Sequence, residues 1–244
     1  MLRADNDTAA HAENLMSDGY SLLSRAMDAR LVEDLREVVD NRVSYCRRTG
    51  DISEASLLRS REIQEATLLP DVLNLVDQMF AHRSQILQVE VDEGGTREGP
   101  SRSWHRDLSV RVSEPLSLTF ILYLDPMEKG SGPTHVIPGS HLPTWTSTAD
   151  YLAIEKALPH PAEIAVGAHP GDALVVSGSL WHSGSFPLSE GTRRRIVVVQ
   201  YGWWWIKRQS DVLSIPLDAG DTQVSMSDRL SGRRRPLGDL YIYD

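Results

Sequence analysis

From Ala29 onward the apolar residues recur with a helical period: Leu31, Leu35, Val38, Val39 and Val43 share one side of residues 29–48, with charges between them. Asp28 stands immediately before, where an N-cap belongs. A second helix is predicted over 62–80 from Ile63, Leu68, Val72, Leu75, Val76 and Met79, interrupted or restarted at Pro70, which cannot donate a helical hydrogen bond. Beyond Arg83 the period falls to two. Residues 86–91 alternate, and β-prone runs follow at 116–124, 134–137, 163–166, 173–176 and 195–201, divided by Gly, Pro and Ser clusters. Strands in succession suit a sandwich or barrel better than a β-α-β sheet. Residues 144–160 interrupt that rhythm, with helical character around 151–158, and read as an excursion of the kind that helps form a substrate lid. Trp145, at its start, reads as packing.

A chain of 244 residues that is 41% hydrophobic and 24% charged has enough apolar material for one packed core. One domain over 1–244 is expected, with helices at about 28–80 and the strand-rich core at about 84–205. The net charge of −9 argues against a nucleic-acid partner. Arg233-Arg234-Arg235 is too short a basic run to change that and reads as a solvated turn. Cys46, the single cysteine and expected on a helix, excludes an intrachain disulfide and points to the reducing cytoplasm. The first residues lack the charged start and apolar core of a signal peptide, and no segment approaches membrane-spanning length, so neither secretion nor a membrane partner is expected.

The candidate chemistry lies in Trp104-His105-Arg106-Asp107. A histidine and a carboxylate two residues apart share one side of an extended strand and can grip one metal ion. His182 is the best third ligand: a turn at Gly171-Asp172 leads into the apolar run 173–176, which delivers the histidine beyond its far end. Two histidines and one carboxylate form the facial triad of non-haem iron oxygenases, which leaves positions open for substrate and oxygen. His11-Ala12-Glu13 matches the same spacing but sits in a polar N-terminal stretch without strand pattern, and reads as chance. His135 and His141 read as structural, the latter beside the Pro138-Gly139 turn.

These motifs, in order and spacing, resemble the phytanoyl-CoA dioxygenase superfamily of iron(II)- and 2-oxoglutarate-dependent oxygenases. The remaining pieces are Met16-Ser17-Asp18-Gly19-Tyr20, Gly130-Ser131-Gly132-Pro133 through Ile137-Pro138-Gly139-Ser140-His141, Gly171-Asp172-Ala173 and Trp181-His182-Ser183-Gly184. The resemblance covers most of the chain. It implies a mainly β fold with flanking helices around a double-stranded β-helix, a cupin-like jelly roll. It also implies Fe(II), 2-oxoglutarate and O2 as cofactors, with His105, Asp107 and His182 as metal ligands and catalytic centre.

By the same resemblance, a basic residue after the last histidine binds the distal carboxylate of 2-oxoglutarate. Counting forward from His182 favours Arg193, and counting back from Tyr201 favours Arg194. Alternation puts the two on opposite faces, and Arg194 is preferred because a loop absorbs an extra residue more easily than a strand does. Arginine suits the task because its planar fork matches a carboxylate in a bidentate way. Thr119 either hydrogen-bonds the cosubstrate or packs within its strand. Gln88 either faces the pocket as a substrate contact or faces solvent, and Arg111 either reaches an anionic or polyhydroxylated substrate or lies on the surface. Where relatives carry a lysine this chain has Gly94, which weakens any transfer of substrate identity.

What the resemblance implies is oxidation of a C–H bond in a small or medium-sized molecule, coupled to decarboxylation of 2-oxoglutarate to succinate. Related halogenases replace the motif carboxylate with a small residue. The presence of Asp107 therefore favours hydroxylation, desaturation or oxidative cyclisation. The chain is also similar to oxygenases that tailor bacterial natural products, and Trp203-Trp204-Trp205 brings in orthoester formation on a saccharide-containing substrate, since tryptophans stack on sugar rings. A strand splits such a run between its two faces. A zinc-type hydrolase with the same ligands, and a non-catalytic jelly-roll binder, remain open as alternatives.

Overall fold

Capping and apolar spacing account for the helices. In the computed structural model, which describes residues 7–49, 57–94, 102–110, 112, 114–128, 130–145, 154, 156, 158–184 and 192–207, α1 spans Thr8–Ser17 and α2 spans Ala29–Thr49. Asp28 caps α2 by accepting from the Leu31 amide at 2.8 Å. The predicted segment 62–80 is two helices, α3 over Arg61–Ala66 and α4 over Pro70–Phe80. Pro70 forces Leu69 into extended backbone and then opens α4, where its missing N–H costs nothing. Helix α1 was not expected from the pattern. Only Ala12 and Leu15 of its residues are buried, so packing against α4 supports it more than amphipathicity does.

Among the described residues there are eight strands, six of them at the predicted runs: β1 (Tyr20–Leu23), β2 (Ser84–Gly94), β3 (Ser117–Tyr123), β4 (Thr134–Val136), β5 (Ile164–Val166), β6 (Ala173–Ser177), β7 (His182–Gly184) and β8 (Arg194–Trp203). Two of them, β1 and β7, are additions to the expected set, each too short for its alternation to stand out. They form a five-stranded sheet in the order β1-β6-β3-β8-β2 and a three-stranded sheet in the order β5-β4-β7, with every pairing antiparallel.

Alternation decides what each face of the large sheet touches. Leu118, Phe120 and Leu122 of β3 join Val197, Val199 and Tyr201 of β8 in one core with the helices. The intervening Ile121, Tyr123 and Ile196 join Val136 of β4 in a second core between the sheets. Truncating a buried ring such as Phe120 to alanine would cost about 3–5 kcal/mol. Charge locks the helical layer on: Arg36 of α2 donates to the Leu124 carbonyl at 2.6 and 2.9 Å, and Asp125 beside it pairs with Arg195 at 2.7 Å.

Residues 102–110 form no strand. They meet the small sheet at a bridge in which the His105 and His182 backbones exchange hydrogen bonds of 3.0 and 3.1 Å, and the Ser103 amide adds a bond to Ser183 Oγ at 2.7 Å. Most of the expected helix at 151–158, and the basic run 233–235, lie outside the described residues. Cys46 is on α2, as expected.

Candidate active site

The bridge between their backbones sets His105 against His182, with ring centroids 4.2 Å apart. Two residues further on, Asp107 returns to the same side and places Oδ1 3.9 Å from His105 Nε2 and 3.7 Å from His182 Nε2. All three ligand atoms lie within 4.8 Å of one another, which makes a cluster able to hold a metal ion.

The two imidazoles are oriented by one repeated device. His105 Nδ1 lies 2.8 Å from the Ser103 carbonyl and His182 Nδ1 lies 3.0 Å from the Leu180 carbonyl, each two residues upstream. A carbonyl only accepts, so Nδ1 carries the proton in both rings and the Nε2 lone pairs turn inward. Burial lowers the pKa of His182 below its ordinary value against the pull of Asp107, which keeps a lone pair available. His182 is 4% exposed while the His105 side chain is 53% exposed, so one ligand is anchored in the core and the other stands at an opening. Two neutral imidazole nitrogens and one carboxylate oxygen on one side of a cavity fit a divalent first-row metal such as iron(II).

That cavity measures about 410 Å³ and lies between the two sheets. Its wall on the large sheet is mainly one face of three adjacent strands, Gln88, Glu90 and Asp92 of β2, Thr119 and Ile121 of β3, and Arg194, Ile196, Val198 and Gln200 of β8, with Val91 of β2 reaching it from between them. Apart from Val91, the i, i+2 spacing is the pleat itself. A bulge between Ile86 and Gln88 sets the phase of β2 and puts Gln88 opposite Gln200.

The three adjacent arginines have three destinations. Arg194 is 5% exposed, lines the cavity, and donates from Nε to the Gly132 carbonyl at 2.8 Å and from Nη1 to Asp92 at 3.5 Å. Its other N–H groups have no partner among the described residues, so a buried guanidinium is left with donors for an incoming carboxylate. Arg193 does not line the cavity: its side chain, 46% exposed, pairs with Asp40 and Glu93, which hold its pKa above the ordinary value. Arg195 goes to Asp125 and Asp40. Alternation on β8 therefore turns Arg194 into the cavity and Arg193 away from it.

Thr119 faces the cavity, but its hydroxyl lies 2.5 Å from Asp107 Oδ2. A carboxylate only accepts, so the hydrogen expected for the cosubstrate goes to Asp107. Thr134 shows the opposite arrangement. It accepts from Tyr123 Oη at 2.9 Å, burial having pushed that phenol up to about 12, and its own hydroxyl hydrogen has no acceptor among the described residues. Gln88 faces the cavity and hydrogen-bonds Glu90. Arg111 lies outside the described residues. His11 hydrogen-bonds Ser21, His135 meets Arg102 and Glu163, and His141 contacts the Met16 carbonyl; none of them belongs to the metal cluster. Trp203 packs edge-on against Phe80 with ring centroids 5.3 Å apart, and none of the three adjacent tryptophans lines the cavity. Gln200 and Thr134 were missed by the sequence reading. Stepping by two from Arg194 reaches Gln200, but nothing local marks Thr134.

Comparison with known proteins agrees with this geometry. A family model for phytanoyl-CoA dioxygenase (PhyH) matches residues 15–195. The chain is 22% identical over 265 residues to the dioxygenase cdmD of Talaromyces verruculosus, covering 91% of this chain and 82% of that protein. Among solved structures it is similar to the epimerase SnoN in complex with Fe3+, alpha ketoglutarate and nogalamycin RO, with a TM-score of 0.61 at 16% identity over 80% of this chain and 83% of that one. It is also similar to SnoK, an alpha-ketoglutarate-dependent carbocyclase from nogalamycin biosynthesis, with a TM-score of 0.63 at 16% identity over 82% of this chain and 86% of that one. The two structures show a shared fold.

Proposed function

Because the chain belongs to the phytanoyl-CoA dioxygenase family and is an iron(II)- and 2-oxoglutarate-dependent dioxygenase, we propose that it oxidises a C–H bond of a small or medium-sized natural product, with His105, Asp107 and His182 as the iron ligands. The observation that carries the assignment is the convergence of these three ligand atoms at one end of a cavity that also holds the Arg194 guanidinium. The family's model spans residues 15–195, which supports one domain over 1–244 with a jelly-roll core at about 84–205.

Bound together, iron, 2-oxoglutarate and oxygen supply an oxidant able to take a hydrogen atom from an unactivated carbon. The chain does the rest. His105 and His182 present neutral Nε2 atoms and Asp107 presents Oδ1. Arg194 receives the distal carboxylate of the cosubstrate from a buried position, where a charge-assisted fork is strongest. Ile121, Ile196 and Val198 line the cavity with aliphatic surface and exclude water from the reacting atoms. Gln88 and Glu90 present hydrogen-bonding groups to the substrate, which suits hydroxyl-bearing molecules, saccharide-containing products among them.

Asp107 keeps a carboxylate where a halogenase would need a small residue, so the outcome is hydroxylation or an oxidative cyclisation, with orthoester closure one form of the latter. The association of SnoN and SnoK with nogalamycin biosynthesis supports a tailoring role. The test is an anaerobic titration with iron(II) and 2-oxoglutarate, followed by the metal-to-ligand charge-transfer band. The band is expected in the wild-type protein and absent in His105→Ala and Asp107→Ala. Its absence in the wild type, or its persistence in both variants, would overturn the ligand assignment.

A further inference from the structure

Thr119 and Gln200 are buried polar side chains directly opposite each other on β3 and β8, 5% and 7% exposed. Thr119 Oγ1 lies 2.5 Å from Asp107 Oδ2, and Gln200 Nε2 lies 3.2 Å from Thr119 Oγ1. Donor and acceptor roles follow from the chemistry alone. An ionised carboxylate has no hydrogen, so Thr119 gives its single hydroxyl hydrogen to Asp107. The Thr119 oxygen is then left with lone pairs, and only the NH2 end of Gln200 satisfies it. The relay runs one way, from Gln200 through Thr119 to Asp107.

Asp107 needs such a fixture because of its backbone. It sits on residues 102–110, which belong to no named strand: their backbone is tied to the sheets at separate points, by the His105–His182 bridge, by the Ser103 amide to Ser183 Oγ at 2.7 Å and by the Leu108 amide to the Gly178 carbonyl at 2.8 Å, rather than by a continuous ladder that would fix the Asp107 side chain. A carboxylate on that stretch has two equivalent oxygens and a rotatable side chain. The hydrogen bond to Oδ2 removes one oxygen from competition and leaves Oδ1 turned toward both histidines.

We propose that Thr119 is a positioning residue that holds Asp107 to one ligating oxygen, that Gln200 orients it, and that Thr119 is therefore not a cosubstrate contact. This rests on the reading of Asp107 as an iron ligand. The test measures iron(II) affinity under anaerobic conditions without 2-oxoglutarate, and 2-oxoglutarate affinity separately, in Thr119→Val, Thr119→Ser, Gln200→Leu and Asp107→Ala.

Thr119→Val keeps the shape and removes the hydroxyl, and its iron affinity is expected to fall about 10–100-fold, the usual effect of removing a partner that orients a metal ligand. Thr119→Ser restores wild-type affinity, and Gln200→Leu gives a smaller loss in the same direction. The charge-transfer band of the iron and 2-oxoglutarate complex shifts in Thr119→Val and returns in Thr119→Ser. Wild-type iron affinity in Thr119→Val, with only 2-oxoglutarate binding weakened, overturns the proposal and returns Thr119 to the cosubstrate. Should Thr119→Val fail to fold by circular dichroism, Gln200→Leu decides, since an unchanged iron affinity there removes the relay. Iron retained by Asp107→Ala would overturn the ligand assignment as well, whereas loss in Asp107→Ala without loss in the Thr119 and Gln200 variants overturns the relay alone.

Discussion

Gly94 stands opposite Arg194 in the β2–β8 ladder. A Cβ at position 94 would lie 3.1 Å from Arg194 Cβ and 3.2 Å from its Cδ, so the bare backbone there gives the arginine room to lie along the cavity wall. Related hydroxylases carry a lysine at this position, and in this chain that side chain would contest the space. Gly94→Ala is expected to weaken 2-oxoglutarate binding modestly, and Arg194→Ala by on the order of a hundredfold or more, the loss of two hydrogen bonds to a charged group. Arg193→Ala, which removes only exposed pairs with Asp40 and Glu93, should leave that affinity near the wild-type value. Anaerobic titration of the iron-loaded proteins checks all three. Weakening by Arg193→Ala comparable to that of Arg194→Ala would show that the anchor has been misassigned. Counting from His182 and from Tyr201 left two neighbours, alternation put them on opposite faces, and the greater tolerance of a loop for an extra residue favoured Arg194. The phase itself is set by how β8 pairs with β2 and β3.

At the scale of elements, residues 102–107 behave as an extended ribbon with two occupied faces. Ser103, His105 and Asp107 line the cavity. The intervening side chains turn away: Arg102 to Glu163 and His135, Trp104 Nε1 to the Leu158 carbonyl at 2.9 Å, and Arg106 to the Ser140 carbonyl and the face of Trp181. The ribbon that carries His105 and Asp107 is thus tied to residues 158–163. Burial alone would raise the Glu163 carboxyl, but hydrogen bonds from Arg102 and the His160 amide outweigh it and hold the pKa below its ordinary 4.5. A depressed folded pKa gives stability that is present above the unfolded value and lost as pH falls from about 4.5 through the folded value. Glu163→Gln should therefore cost about 1–3 kcal/mol at neutral pH, a difference from wild type that shrinks as the medium is acidified below that point. Denaturant melts between pH 7 and pH 3 measure it, and a gap constant across the range would remove Glu163 as the cause.

The helices of the same region show how far local pattern carries. Residues 29–48 form one helix because their apolar stripe is long and the Asp28 cap is strong, whereas α1 has little stripe of its own and depends on α4. The N-terminal Asp18-Gly19 motif also acquires its meaning only by contact. Gly19 has φ +85°, and a Cβ there would lie 2.5 Å from His141 Nδ1, so the α1–β1 turn packs directly on the Pro138–His141 turn. That turn in turn holds the start of the strand that carries His182, since Ser140 Oγ accepts from the Trp181 amide at 2.9 Å.

For the whole molecule, three layers place the chemistry between the two sheets, with the helices packed on the far side of the large one. A ligand that binds only the folded state stabilises it by mass action. Manganese(II), as a redox-silent stand-in for iron, together with 2-oxoglutarate, each at about a hundred times its dissociation constant, should add about 5 kcal/mol and raise the melting temperature by about 10–20 °C. Differential scanning fluorimetry reads the shift, which should vanish in His105→Ala. An equal shift in that variant would mean that the metal binds elsewhere.

The amino-acid sequence by itself determined the succession of helices then strands, the order of the His105, Asp107 and His182 cluster proposed to hold iron, and the arginine run after it, because each is written in local spacing. The tertiary structure decided which of Arg193 and Arg194 faces the cavity, that the Thr119 hydroxyl goes to Asp107, and that the three tryptophans stand away from the site. The physical reason is common to all three. A strand declares that its neighbours alternate, but only pairing with other strands settles which alternate face is turned inward and which distant side chain waits there.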